Sequence, residues 1–152
     1  MVPSLKEQLR ADLTTAMKAR DELRTATLRM VLAAVTAEEV AGKEARELSD
    51  DEVQAVLRRE AKKRREAAEA FAGAGRAEQA EREKAEGEVV AGYLPAQLDD
   101  ADLAAIVADV VTRTGANGLQ DMGRVMGAAQ GAVAGRAEGA RVAAEVRRQL
   151  AG

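Results

Sequence analysis

Residues 48–72 read LSDDEVQAVLRREAKKRREAAEAFA, and this segment contains a complete helix start signal. Ser49 is a preferred N-cap residue and Glu52 stands three positions later, so the two form a capping box. Leu48, directly before the cap, can act as a hydrophobic staple. Apolar residues then recur on one helical face as far as Phe71. The segment therefore predicts a helix over residues 50–72.

The neighbouring segments have the same helical period, and none alternates convincingly between apolar and polar residues, so the predicted fold class is all-α. A first helix starts at the Ser4 cap and ends near Arg20. The second, over residues 21–41, carries apolar side chains around most of its circumference, as is typical of a helix in the middle of a bundle. A charged fourth helix is predicted over residues 76–91.

A break follows at Gly92-Tyr93-Leu94-Pro95, because Pro95 disfavours helical geometry at the residue before it and lacks a backbone donor. Three more helices are predicted after the break, over residues 100–114, 119–133 and 140–150. We therefore expect a four-helix N-terminal lobe, residues 1–94, followed by a smaller three-helix C-terminal lobe, residues 95–152.

Composition limits the chemistry that the chain can perform. It has no His and no Cys, which excludes thiolate nucleophiles, disulfides and metal sites built on sulfur. One Phe, one Tyr and no Trp cannot form the base-stacking platform of RRM or OB folds. We assign no catalytic residue and no metal site, and we expect no cofactor.

The net charge is −3, so the chain as a whole is not a polycation, and any contact with nucleic acid must come from a local patch. No apolar run approaches the roughly 18 residues that a membrane helix needs. The first residues lack the apolar core of a signal peptide. We therefore expect a soluble, cytoplasmic protein without membrane contact.

A run of basic residues lies in the middle of the third helix and is the densest chemical feature of the chain. It consists of Arg58, Arg59, Lys62, Lys63, Arg64 and Arg65. One interpretation is a solvated face that only supports solubility. The other is a surface that binds successive phosphates of a nucleic acid.

Two charged residues of the same helix, Glu60 and Arg64, fall inside its apolar stripe. The acid lies four residues before the base, which is the favourable order for an ion pair on a helix. We interpret them as a structural pair, shared with Arg29 of the second helix. A catalytic carboxylate is the alternative, but it requires a neighbouring nucleophile or metal that the sequence does not supply.

Glycines recur every four residues along the sixth helix, at positions 123, 127 and 131. Each costs about 1 kcal/mol relative to Ala in a helix interior, so the pattern needs a reason. Close packing against another helix is the preferred explanation, and close approach of an RNA backbone is the alternative. Arg124, beside this stripe, suits either.

Acidic residues are concentrated at two helix starts, and we interpret both groups as caps and dipole partners and not as metal ligands. The groups are Asp50, Asp51 and Glu52, and Asp99, Asp100 and Asp102.

Five short motifs, spaced over nearly the whole chain, closely resemble the GatB/YqeY family. They are Thr27-Leu28-Arg29-Met30, Leu48-Ser49-Asp50-Asp51-Glu52-Val53, Lys62-Lys63-Arg64-Arg65-Glu66-Ala67, Tyr93-Leu94-Pro95 with Gln97-Leu98, and Asp121-Met122-Gly123-Arg124-Val125-Met126-Gly127. The resemblance implies a small, stand-alone, all-helical protein. It also implies that the second lobe is similar to the C-terminal tail domain of the B subunit of the glutamyl/aspartyl-tRNA amidotransferase, a tail that contacts tRNA. Nothing in the chain resembles the catalytic domains of that subunit.

The sequence departs from the family at one loop. Relatives often carry Lys-Gly-Arg-x-Asp-Gly where this chain has Ala134-Gly135-Arg136-Ala137-Glu138-Gly139, so one lysine is lost. The loss weakens any phosphate contact at this loop.

With the resemblance, the expected function is a tRNA-associated accessory or recognition module. Its expected RNA-binding residues are Arg58, Arg59, Lys62, Lys63, Arg65, Arg124 and Arg136. The first alternative is a component of a carbon–nitrogen ligase that uses glutamine as amido-N donor and acts with a partner subunit. The second is a protein-interaction adaptor without RNA. The candidate partners are tRNA and an amidotransferase or tRNA-synthetase-related protein, and no DNA partner is expected.

Overall fold

Short polar caps determine where several helices begin. In the computed structural model, which describes residues 2–152, four side chains accept a hydrogen bond from the backbone N–H three residues later. These caps are Ser4, Asp21, Ser49 and Asp99. Glu52 also accepts a bond of 3.1 Å from the backbone N–H of Ser49, which completes the capping box predicted from the sequence.

The described part of the chain contains seven α-helices and no strand, so the all-α prediction is confirmed. The helices are α1 (Leu5–Ala19), α2 (Glu22–Glu39), α3 (Asp50–Gly73), α4 (Ala77–Ala91), α5 (Asp100–Thr114), α6 (Met122–Val133) and α7 (Gly139–Ala151). The start of the predicted sixth helix differs: Leu119–Asp121 form a 3₁₀ turn, and α6 begins only at Met122.

The chain divides into two compact units, Met1–Leu94 and Pro95–Gly152. In the first unit, apolar residues of all four helices form the core, with α2 contacting α1, α3 and α4. The largest fully buried side chains there are Leu9, Leu28, Val31, Val35, Val53, Val56, Leu57 and Val90. Since α3 contributes to this core only near its N-terminal half, its second half is left to pack mainly against α4.

One carboxylate joins several segments at an end of the first unit. Glu39 accepts hydrogen bonds from Nζ of Lys6, at 2.8 and 2.9 Å, and from the backbone N–H of Leu48, at 3.3 Å. The bond from Lys6 is the main reason that the pKa of Glu39 lies below its usual value. Glu39 thus holds the long α2–α3 connection against α1.

The second unit has its own core, formed by α5, α6 and α7. Its buried apolar residues are Leu103, Val107, Val110, Val125, Ala129, Val133, Ala137, Val142 and Val146. The backbone N–H of Leu98 donates a 2.7 Å bond to the carbonyl of Arg136, which ties the segment before α5 to the α6–α7 loop.

None of the helices within residues 2–152 combines the length and the apolar character that crossing a membrane requires.

Candidate nucleic-acid interface

Five basic side chains lie on α3 and are here called the basic ridge: Arg58, Arg59, Lys62, Lys63 and Arg65. The helix directs its apolar residues, such as Val53 and Leu57, into the core. The ridge residues therefore lie on its remaining faces, where Arg58 is half-buried and the other four are exposed. One rigid helix positions all five.

Acidic side chains lie beside Arg59, Lys62 and Lys63 of the basic ridge. Arg59 contacts Glu38 of α2 at 3.3 Å, and Lys62 contacts Glu66 one turn later at 3.9 Å. Lys63 contacts the buried Glu60 at 3.5 Å. The three cationic side chains remain 58–64% exposed. The pairs of Arg59 and Lys62 are exposed on both sides and contribute at most about 1 kcal/mol each, so an incoming phosphate can replace these two carboxylates at little cost. Lys63 compensates the charge of the buried Glu60, so it is less readily released to a phosphate.

Arg58 differs from these three residues. No carboxylate within residues 2–152 lies within ion-pair distance of its guanidinium. Arg58 begins the basic run, and its charge is not compensated by a carboxylate there, so its guanidinium is available to bind an anion.

The predicted ion pair of Glu60 with Arg64 and Arg29 is wrong. Glu60 is buried, at 6% exposure, but its cationic partner is Lys63. Arg64 instead reaches across to α4, where its Nη1 lies 3.0 Å from Glu83 and 3.6 Å from Glu86. Arg29 is exposed, and its guanidinium contacts the sulfur of Met17 at 3.8 Å.

This error has a physical cause. Helical periodicity places Glu60 and Arg64 on the same stripe, but it does not show which neighbouring helix faces that stripe. The packing of α4 against α3 brings two carboxylates, those of Glu83 and Glu86, to the guanidinium of Arg64. Nε of Arg64 is buried and has no acceptor.

Two further candidates, Arg124 and Arg136, lie in the second unit and bind its own backbone. Arg124 contacts Asp121 at 3.1 Å and donates to the carbonyl of Thr114. Arg136 is half-buried, and its guanidinium donates to the carbonyls of Val133 (3.0 Å) and Ala132 (3.2 Å) at the end of α6. Carbonyls at a helix C-terminus lack intrahelical donors, so Arg136 has a structural role that the sequence pattern did not indicate.

The glycine stripe of α6 is exposed, which overturns its interpretation as a helix-packing surface. Gly123, Gly127 and Gly131 all face solvent. A Cβ atom built on any of them would have no neighbour within 4 Å. The core of the second unit uses the opposite side of α6, through Val125, Ala129 and Val133. The stripe is thus a helix surface of bare backbone, with Arg124 beside it.

A polar cluster that sequence reasoning missed surrounds Tyr93 at the end of the first unit. The Tyr93 hydroxyl donates to Oδ2 of Asp12 at 2.5 Å and accepts a bond of 3.2 Å from Arg24. Burial, followed by the bond to Asp12, raises the pKa of Tyr93 to about 12. The Tyr93-Leu94-Pro95 motif marks the position in the sequence, but the partners lie 81 and 69 residues away and give no local signal.

Acidic residues do not assemble into a metal site in the part of the chain described: no group of three or more converges there. Asp50 accepts a bond from the backbone N–H of Leu5 at 3.0 Å, and Glu52 and Asp99 act as caps. Glu52 and Asp99 therefore have the capping contacts that the sequence predicts, whereas Asp50 contacts the start of α1.

Comparison with known proteins identifies the wider relationship. The model of one protein family, described as Yqey-like protein, matches residues 6–150 of the chain. The match covers both units and agrees with the resemblance seen in the sequence motifs. Among curated proteins, none matches the chain.

Proposed function

The chain belongs to the YqeY-like protein family, and from this premise we propose that it acts as a tRNA-associated recognition module. In this proposal the basic ridge of α3 binds RNA phosphates without any covalent step. The rigid helix holds the cations at fixed spacing, and each phosphate contact releases counterions from the RNA.

The observation that carries the proposal is the exposure of four cationic side chains of the basic ridge along one helix. Residues 58 and 65 are seven positions apart, which is about 10 Å at 1.5 Å per residue. A surface of this length can contact more than one phosphate of a strand. Such contacts position an RNA without reading its bases, which suits a chain with only two aromatic residues.

The glycine stripe of α6 is evidence for a second RNA contact surface. Three glycines in a helix weaken it unless something gains from their lack of side chains. Packing within the second unit does not use them. A nucleic-acid backbone can approach such a surface closely, and Arg124 is then beside it to meet a phosphate. The proposal therefore accounts for a feature that the fold of the second unit leaves unexplained.

The test is purification of the full chain from its native cell, followed by identification of the RNA and protein that accompany it. Recovery of tRNA that is lost at high salt would support the recognition module. Recovery of a glutaminase subunit without RNA would favour the carbon–nitrogen ligase alternative, and any other protein recovered without RNA would favour the adaptor. Either of the last two results would contradict the proposal.

A further inference from the structure

A groove between α3 and α4 is lined half by small residues and half by charged ones. It lies beside the second half of α3, where contact with the core of the first unit has ended. The groove encloses about 550 Å³. Its floor consists of Ala61, Ala68, Ala72, Ala80, Gly87 and Ala91.

The two helices contribute to this floor with the same spacing. On α3 the small residues stand at 61, 68 and 72, and on α4 they stand at 80, 87 and 91. Steps of seven and four residues keep each set on one face of its helix. The two helices therefore present matching stripes of small residues, and the groove between them has a shape that can accept a third helix.

The walls of the groove are held at a fixed distance. Arg64 bridges from α3 to Glu83 and Glu86 of α4. A Cβ atom on Gly87 would lie 3.4 Å from Cβ of Arg64, so the helices approach closely at this level. The groove is thus formed by the hairpin itself and does not depend on an incoming ligand.

The charge around the groove is negative. Four acids, Glu69, Glu81, Glu83 and Glu88, line it together with two cations, Arg65 and Lys84. Glu83 is bound by Arg64. The other three acids have no ion pair or side-chain hydrogen bond within the residues described, so their charge is available to a partner. These acids, here called the rim of the groove, attract cationic side chains, and Arg65 marks the edge at which the groove meets the basic ridge.

We propose that this groove binds an amphipathic helix of a partner protein. The apolar side chains of that helix fill the alanine-lined floor, and its basic side chains pair with Glu69, Glu81 and Glu88. Arg65 belongs both to the groove and to the basic ridge, whereas Arg59 and Lys63 incline away from the groove, toward α2 and Glu60. The groove thus gives the chain a surface for binding a protein, in addition to the RNA-binding surface of the proposed function.

The test uses two synthetic helical peptides of about 18 residues each, which form about five helical turns. Both peptides carry the same leucine stripe. One carries lysines beside the stripe and the other carries glutamates. Each is titrated into the full, ¹⁵N-labelled chain. The lysine peptide should bind and shift the amide signals of Ala68, Ala72 and Ala80, while the glutamate peptide should bind at least about tenfold more weakly. Binding of neither peptide, or shifts confined to other parts of the chain, would overturn the proposal.

Variants separate the charge of the rim from the shape of the floor. Glu69→Gln/Glu81→Gln/Glu88→Gln should weaken binding of the lysine peptide by about tenfold. Its matched control is Glu7→Gln/Glu44→Gln/Glu47→Gln, which removes the same charge from exposed acids outside the hairpin and should leave affinity within about twofold. Ala72→Trp, at an exposed floor position, should abolish binding while the helix content is retained.

RNA is the competing occupant, and the same variants test it. If the groove variants lose tRNA binding and keep peptide binding, the groove is an RNA surface and the proposal is wrong. Equal peptide affinity of the rim variant and its control would also refute it. Loss of peptide affinity with unchanged tRNA affinity is the result that we expect.

Discussion

The hydroxyl of Tyr93 donates a 2.5 Å hydrogen bond to Oδ2 of Asp12, and this contact joins the end of the first unit to its first helix. Arg24 of α2 donates to the same hydroxyl. The motif that precedes Pro95 is therefore anchored to two helices. Tyr93 thereby holds the last turn of the first unit against α1 and α2.

Because of this contact, we expect the Tyr93 hydroxyl to titrate at an unusually alkaline pH, and this titration can be measured on its own. The chain has one Tyr and no Trp, so tyrosinate absorbance measures Tyr93 alone. We expect a midpoint near 12 in the folded protein, against about 10 in the unfolded chain. Because folding raises this pKa, the contribution of Tyr93 to stability is complete below about pH 10 and is lost as the pH rises toward 12.

Asp12→Asn is the control for the cause of the shift. It should lower the pKa of Tyr93 only part of the way toward its usual value, because burial is the larger cause and remains. A midpoint at the usual value in the parent protein would show that the Tyr93 cluster does not form in solution.

A second prediction compares two arginines of α3 that differ in burial. Arg64→Ala should lower the free energy of unfolding by about 2 kcal/mol, because it leaves the mostly buried Glu83 without a cation, whereas Glu86 keeps its ion pair with Arg82. Arg59→Ala removes an exposed pair with Glu38 and should cost no more than about 0.5 kcal/mol. Urea unfolding of both variants measures the difference. Equal losses would mean that the bridge to α4 contributes no more than a surface pair.

The glycine stripe gives a third prediction, in which two Gly→Ala changes have opposite signs. Gly127 is helical and has open space around it, so Gly127→Ala should stabilise the second unit by up to about 1 kcal/mol. Gly115 ends α5 with φ of 67°, where a Cβ is strained, so Gly115→Ala should destabilise it by about 1 kcal/mol. Thermal unfolding measures both changes.

Gly127→Ala also tests whether RNA binds at the glycine stripe. If RNA approaches the bare backbone, Gly127→Ala should bind tRNA more weakly than the parent even though it is more stable. A variant that gains stability and keeps full tRNA affinity would remove the second contact surface from the proposed function.

The features predicted correctly from the sequence depend on residues that are close along the chain. The capping box of Ser49 and Glu52 is complete within four residues, and Gly115 ends α5 at the position that the apolar stripe predicts. Such signals, the helix-ending Gly115 itself among them, are local, so the all-α fold and most helix bounds follow from them. One bound was wrong because Leu119–Asp121 continue the helical pattern but form a 3₁₀ turn.

The features that were missed depend on which helices face each other. Arg64 pairs with acids 19 and 22 residues away, and Tyr93 with Asp12, 81 residues away. Periodicity indicates which face of a helix is apolar but not which neighbour covers it. The glycine stripe was misread for the same reason, because an unpacked face and a packed one have the same spacing in sequence.

A tRNA titration of one charge-reversed variant tests whether the basic ridge binds RNA phosphates, which is the main claim of the proposed function. Arg58→Glu/Lys62→Glu changes two ridge residues, and Lys43→Glu/Arg76→Glu makes the same change of charge at exposed residues outside α3. Binding is measured at about 50 mM and about 200 mM salt. Melting curves confirm that both variants fold.

We expect the ridge variant to bind tRNA at least about tenfold more weakly than the parent at low salt. The slope of its log affinity against log salt concentration should be smaller by about two, because two phosphate contacts are lost. The control variant should bind nearly as well as the parent at both salt concentrations. If the ridge variant instead binds tRNA as tightly as the parent at both, the ridge is a solvated helix face and the claim is wrong.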